Sequence, residues 1–269
     1  MSRLESALAD LRLADTLAAR DTGLSRLDPR AKIVTTLAFL AAVVSYERHT
    51  VVALLPFLLY PVALVSMGEV PWRWLARKLA LAAPFAVLMG IANPVLDRAP
   101  LEVAHGVTMA GGWISFGSIL LRFALTVTAA LAVVAGTGMH ALCAGLAALG
   151  TPRVFTAQLL FLWRYAFVLG GEGARMATAR EARGGRGSPT LAVYGSLAGH
   201  LLLRAFERAE RIHRAMLARG FDGEIRPSRA LRWSSRDTVF VVGWVAFFVA
   251  ARAVYLPLLL GRLLTGLGG

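Results

Sequence analysis

The sequence predicts an all-α integral membrane protein, with about five transmembrane helices and a cytoplasmic domain of long amphipathic helices. Three observations carry that prediction. Of 269 residues, 57% are hydrophobic and the mean hydropathy is +0.62, well above what a soluble globular domain carries. The net charge of +13 is almost entirely arginine, since Lys32 and Lys78 are the only lysines, and the charges fall between long apolar runs. Two basic segments, finally, end in the same Ala-Arg-Gly tripeptide.

Composition also narrows the function. A pI near 11.3 invites a nucleic-acid reading, but basic residues that alternate with apolar runs do not make a soluble basic face, and no nucleic-acid partner is expected. The single cysteine, Cys143, leaves no internal disulfide and no metal framework. Residues 1–30 carry Asp10, Asp15, Arg20 and Asp21 and hold no apolar core of a cleaved signal. They are expected to form an N-terminal segment that stays in the cytosol.

Five apolar runs are expected to span. Residues 31–45 (AKIVTTLAFLAAVVS) and 51–67 (VVALLPFLLYPVALVSM) flank the polar break Glu47-Arg48-His49. Both are short against the ~20 residues a hydrocarbon core asks for, a mismatch that thinning or flanking residues absorb. Residues 79–95, 113–135 and 238–260 complete the set, all as helices because lipid satisfies no free backbone amide. Pro84 and Pro94 are expected to kink or end the third.

Charge orients the array. Arg26, Arg30 and Lys32 precede the first span, Arg73, Arg77 and Lys78 separate the second from the third, and the arginine-rich stretch 170–236 separates the fourth from the fifth. The opposite connections pair Arg48 and Arg98 with Glu47, Asp97 and Glu102. The positive-inside rule then puts the N-terminus inside and the C-terminus outside, with Trp72, Trp74 and Trp113 near the interfaces. The resulting divisions are 1–30, a membrane part at 31–137, a cytoplasmic part at 138–236 and a final helix at 237–269. Arg122 and Arg252 fall inside spans, where an arginine costs at least ~2.5 kcal/mol to insert. Such a residue either serves a function or faces the bundle interior or an interface.

Residues 154–169 (VFTAQLLFLWRYAFVL) admit two readings. They cross the membrane and pair with 191–203, or they lie along the cytoplasmic surface as part of an amphipathic helix. The second is preferred because five spans already satisfy the charge rule. On the helix that follows, Leu202, Phe206, Ala209, Ile212 and Met216 make an apolar stripe, while Arg204, Arg208 and Arg211 run down another face near Glu207 and Glu210. One face asks for apolar cover and the other for acid or lipid headgroups.

The duplicated tripeptide is the sharpest signal. At an offset of 36, residues 175–187 and 211–223 share Arg175/Arg211, Ala179/Ala215, Ala182/Ala218, Arg183/Arg219, Gly184/Gly220 and Gly187/Gly223. A glycine after a helical run is the usual left-handed terminator, so each helix should stop beside its arginine. The preceding alanine keeps the tip narrow. The arginine then sits at the negative end of the helix dipole and offers a planar fork to a carboxylate. A single Ala-Arg-Gly has purely local explanations; two copies on consecutive helices read as one device used twice, a blunt cationic prong that fits a groove.

These motifs, with RLDPRAK (26–32) before the first span and the general layout, resemble the transmembrane (T) component of energy-coupling factor transporters, a branch of ABC importers. NPVLDR after the third span and the N-terminal DTLAARDTGLSRLDPRAK are most similar to the cobalt/nickel, CbiQ-type branch. The resemblance implies four or five spans anchoring a cytoplasmic coupling domain in a bacterial inner membrane. It implies that Ala182-Arg183-Gly184 docks on one ATPase subunit and Ala218-Arg219-Gly220 on another, and that the coupling helices hold a substrate-binding membrane subunit. The substrate would be cobalt or nickel, with a vitamin left open. Where Phe221 follows the second copy, Gly185 follows the first, a departure from the bulky residue usual there.

Two rival classes fit less well. An ordinary ABC permease loop would begin at Glu181-Ala182 with Gly187 after it, but residues 196–199 read Ser-Leu-Ala-Gly where Ile-x-Leu-Pro belongs. For a membrane enzyme, the carboxylates Glu69, Asp97 and Glu102 are isolated, and the five histidines show no ligand spacing. His140 and Cys143, one turn apart, are two groups of an incomplete site. Neither lysine stands in a phosphate-binding loop, so this chain is expected to be non-catalytic and to hold no cofactor, with ATP and Mg on the partner ATPases.

Overall fold

The computed structural model describes residues 3–47, 51–96, 100–104, 107–183, 190–222 and 231–253. They fold into helices α1 (Arg3–Ala18), α2 (Pro29–Val44), α3 (Leu59–Met67), α4 (Trp72–Gly90), α5 (Asn93–Leu96), α6 (Gly111–Thr137), α7 (Met139–Ala148), α8 (Arg153–Ala182), α9 (Leu191–Leu217) and α10 (Ser235–Ala253). Strands β1 (Pro100–Ala104) and β2 (Val107–Ala110) pair antiparallel with a register shift between Glu102 and Ala104. Apart from this short hairpin the described elements are helices, as an all-α protein is expected to have. The hairpin's Leu-Glu-Val and Val-Thr-Met stretches are short runs with β-forming residues, too brief to stand out from a loop.

Two compact units result. One comprises Met1–Thr16 and Met139–Ala230, the other Leu17–Gly138 and Leu231–Gly269. In the second unit, α2 starts where the sequence signals it should. Asp28 accepts the Arg30 N–H at 2.8 Å as N-cap, and Pro29 fills the first turn, where no backbone donor is needed. The Asp28 N–H in turn donates to Asp237 Oδ1 at 2.7 Å. Asp237, only 2% exposed, also accepts the Ser234 N–H at 2.8 Å. One carboxylate therefore serves the starts of two helices. Lys32, 1% exposed, donates to the Leu24 carbonyl at 3.0 Å, so Asp28 and Lys32 of the RLDPRAK stretch are its buried polar part. Arg26, which opens that stretch, is exposed; it pairs with Asp21 at 2.9 Å and holds that carboxyl below the usual carboxylate range.

At the far end of α2, two arginines meet backbone carbonyls, one at the helix cap and one just past it. Arg252 donates to the Ser45 carbonyl at 3.1 Å and lies over the Tyr46 ring, 4.4 Å from its centroid. Arg122 donates to the Glu47 carbonyl, and the Tyr46 hydroxyl reaches the Ala251 carbonyl at 3.2 Å. Arg122 of α6 and Arg252 of α10, both expected inside spans, thus answer backbone carbonyls just past the end of α2.

These contacts fix direction. At the end marked by Asp28 lie the start of α10, the end of α3 (Leu24 N–H to Met67 O, 3.1 Å) and the end of α6, where Gly136 packs against Leu24. At the opposite end lie the end of α10, Phe57 against Tyr46 at 5.5 Å, and the end of α4, whose Gly90 sits under the Phe116 ring of α6. The segments α2, 52–67, α4, α6 and α10 therefore run alternately up and down. The chain leaves this unit at Gly138 and returns at Ser234, both at the Asp28 end.

Between them sits an aromatic core. Phe39 of α2, Tyr60 of α3 and Phe248 of α10 lie at centroid distances of 4.8–5.6 Å, and Tyr60 shares a 2.8 Å hydrogen bond with Thr36. The second expected span is not one α-helix. Val52–Leu58 is 3₁₀, with Pro56 inside it, before α3 begins; proline has no N–H for the α ladder and crowds the preceding turn. Pro84, by contrast, lies within a continuous α4, and that helix ends at Gly90. Residues 254–260 of the fifth expected span lie outside the described residues. Two of the described helices are long and apolar enough to cross a membrane, α6 and α8.

In the first unit, α8 is a single 30-residue helix, so the apolar 154–169 and the basic stretch after it form one rod. Trp163 Nε1 donates to the Asp15 carboxylate at 3.2 and 3.3 Å, tying α1 to α8.

Candidate functional site

The second Ala-Arg-Gly copy ends its helix as the sequence predicts. Gly220 has φ of +76°, its N–H donates to Leu217 O at 3.0 Å, and the Phe221 N–H donates to Met216 O at 3.0 Å. That hydrogen-bond pair is the Schellman closure, with Arg219 at the cap and glycine in the left-handed position. A Cβ on Gly220 would meet nothing within 4 Å, so backbone conformation rather than crowding demands glycine here. Ala218, Arg219 and Gly220 are all exposed.

The first copy reaches the same kind of end by another route. The Arg183 N–H donates to Ala179 O and Arg180 O, each at 3.2 Å, and Arg183 turns out of the helix at φ −83° and ψ 16°. Ala182 and Arg183 are exposed; Gly184 lies outside the described residues. Among the described residues, no carboxylate pairs with Arg183 or Arg219. Each guanidinium is therefore presented at a helix C-terminus, where the macrodipole favours a cation, with no carboxylate partner among the described residues.

Packing between α8 and α9 rests on a residue the sequence reading missed. Glu172 takes a hydrogen bond from Arg175 at 2.7 Å on its own helix and another from Arg204 on α9. Its three-residue spacing from Arg175 was the only signal available. The apolar stripe is uncovered: no described residue of α9 is buried, and Leu202 and Phe206 are 56% and 66% exposed. On α8, Phe155, Leu159, Leu162 and Tyr165 line an open apolar groove. Cys143 is buried and His140 exposed, and among the described residues no three His, Cys, Asp or Glu side chains gather as a metal site would need.

Residues 21–229 match the model of the CbiQ family, described as cobalt transport protein. The chain belongs to the CbiQ family. Both Ala-Arg-Gly copies fall within the matched stretch, and the resemblance read from the motifs is thereby confirmed. Among relatives, the energy-coupling factor transporter transmembrane protein EcfT of Bacillus subtilis is 28% identical over 238 residues, 82% of this chain and 89% of the relative. The uncharacterized protein MJ1089 of Methanocaldococcus jannaschii is 26% identical over 224 residues, 76% of this chain and 78% of that one. As a CbiQ-family member, the chain is a membrane protein and a component of a transporter.

Proposed function

We propose that this chain is the coupling subunit of an energy-coupling factor importer, carrying the motion of two ATPase subunits to a substrate-binding membrane subunit that takes up cobalt or nickel. The observation that carries the reading is the Schellman-closed tip at Arg219, whose exposed guanidinium meets no carboxylate among the described residues at a helix end. Arg183 is its counterpart at the end of α8. Each prong seats in an acidic or carbonyl-lined groove of one ATPase; ATP and Mg belong to those partners. When the ATPases close, the prongs move together, and α8 and α9, clasped by Glu172 and Arg204, transmit the displacement as rigid rods. The uncovered apolar faces of α8 and α9 hold the substrate-binding subunit, whose orientation in the bilayer changes with the nucleotide state.

The alternating directions of α2, 52–67, α4, α6 and α10 support five crossings, with the Asp28 end cytoplasmic by the charge rule. The chain exits and re-enters at that end, which supports a cytoplasmic position for the residues between. Arg183→Glu and Arg219→Glu decide the docking role. Each variant should insert normally, lose ATPase subunits on purification and stop cobalt uptake by cells; full uptake together with full recovery of the complex in both variants refutes it.

A further inference from the structure

Between α8 and α9 lies a cleft of about 240 Å3, many times the ~30 Å3 share of one water. Val168 and Leu169 give it an apolar wall, and Arg204, Arg208 and Arg211 line it from α9. Its charges do not balance. Glu172 serves Arg175 and Arg204, and Glu207 lies 3.8 Å from Arg211. Among the described residues no carboxylate pairs with Arg208, and the next pair along, Arg214 with Glu210, is closed on itself. Three guanidinium groups therefore line this opening against two carboxylates. A merely solvated helix face would show pairs at i,i+4 and nothing more; Arg208 and the cross-helix Glu172–Arg204 pair depart from that.

An excess of positive charge in forked guanidinium groups matches the oxygens of a phosphate better than it matches a halide or water. The apolar wall adds a place for the carbon chain attached to it. We propose that the α8–α9 cleft binds a phosphate group, from an anionic lipid headgroup or a soluble phosphate ester, with Arg208 and Arg211 gripping its oxygens and Val168 and Leu169 taking the adjoining carbons. A membrane protein offers such a cleft the lipid at high local concentration, and each arginine near an anionic surface adds roughly fivefold to binding. The site is distinct from the prongs at Arg183 and Arg219, so its fate and that of the docking role are read in separate experiments.

The test uses the full-length chain, purified and stripped of lipid, with native mass spectrometry and three probes: dioctanoyl phosphatidylglycerol, dioctanoyl phosphatidylcholine and glycerol 3-phosphate. The wild type should retain phosphatidylglycerol in preference to phosphatidylcholine. Arg208→Gln with Arg211→Gln, both at exposed positions, should weaken that retention by roughly twenty-five-fold with the helical circular-dichroism signal unchanged. The same charge loss at Arg12 and Arg20 should leave it intact. Phosphatidylglycerol that outcompetes glycerol 3-phosphate assigns the lipid; equal binding of glycerol 3-phosphate, lost in the same variant, assigns a soluble ester. Retention unchanged in the cleft variant, or equally reduced in the Arg12/Arg20 control, overturns the site. So does failure to retain any phosphate probe while a photocrosslinker at position 208 captures an acidic segment of a partner protein.

Discussion

Gly220 sits at a φ that L side chains adopt only at a cost of about 1–2 kcal/mol, and no neighbour crowds it. Gly220→Ala should therefore lower stability by about 1 kcal/mol at the α9 end without disturbing the rest of the chain, and Gly220→Asn by less, since asparagine tolerates the left-handed region. The effect on function should be larger than the effect on melting. On the proposed docking role, a frayed cap displaces the Arg219 guanidinium, so ATPase capture should fall in Gly220→Ala while the thermal midpoint shifts by only a few degrees. Equal loss of capture and of melting temperature would mean that the glycine serves the fold alone. Arg219 and Arg183 differ further in sequence: Gly220-Phe221 follows one and Gly184-Gly185 the other.

Helices α2 and α10 are parallel and tied at both ends. Asp237 joins their starts through two backbone donors, and Arg252 with Tyr46 joins their ends. The two ties differ in strength because they differ in exposure. Asp237→Ala strands two N–H groups in a buried setting, each costing about 1–3 kcal/mol, and should lower stability by about 3 kcal/mol. Arg252→Ala removes a hydrogen bond and a ring contact at an exposed end and should cost about 1 kcal/mol. Thermal unfolding of both variants in one detergent checks the ranking; a larger loss for Arg252 would contradict it. Between α8 and α9 the corresponding tie is Glu172, which holds two arginines and so sets how the helices cross.

On the scale of the molecule, the proposed five-crossing arrangement puts Ser45 and Ser234 on opposite sides of the membrane. In a Cys143→Ala background, an impermeant thiol reagent added to intact cells should label Ser45→Cys, while Ser234→Cys should react only after the membrane is opened. Labelling of both from one side would remove the five-crossing arrangement. Leu162→Cys addresses α8 in the same assay. On the coupling-face reading it reacts from the cytoplasmic side and crosslinks to the substrate-binding subunit, whereas a position within the bilayer protects it from both sides.

The sequence determined whatever depends on residues within a turn of each other. Asp28-Pro29 set the start of α2, Gly220 set the end of α9, the apolar runs located α2, α4, α6 and α10, and the repeated tripeptide pointed to two cationic helix tips. Gly184 lies outside the described residues, so the first tip is traced only to Arg183. Tertiary structure decided what depends on distant partners. Asp237 meets Asp28 across 209 positions and Arg252 meets Ser45 across 207, and no local pattern marks which carboxylate or carbonyl will be the partner. The Glu172–Arg204 clasp escaped for the same reason, whereas the 3₁₀ segment around Pro56 and the β1–β2 pair are local and too short to stand out. A cap or a left-handed glycine is fixed by its own backbone, whereas a pairing is fixed by the packing that brings two stretches of chain together.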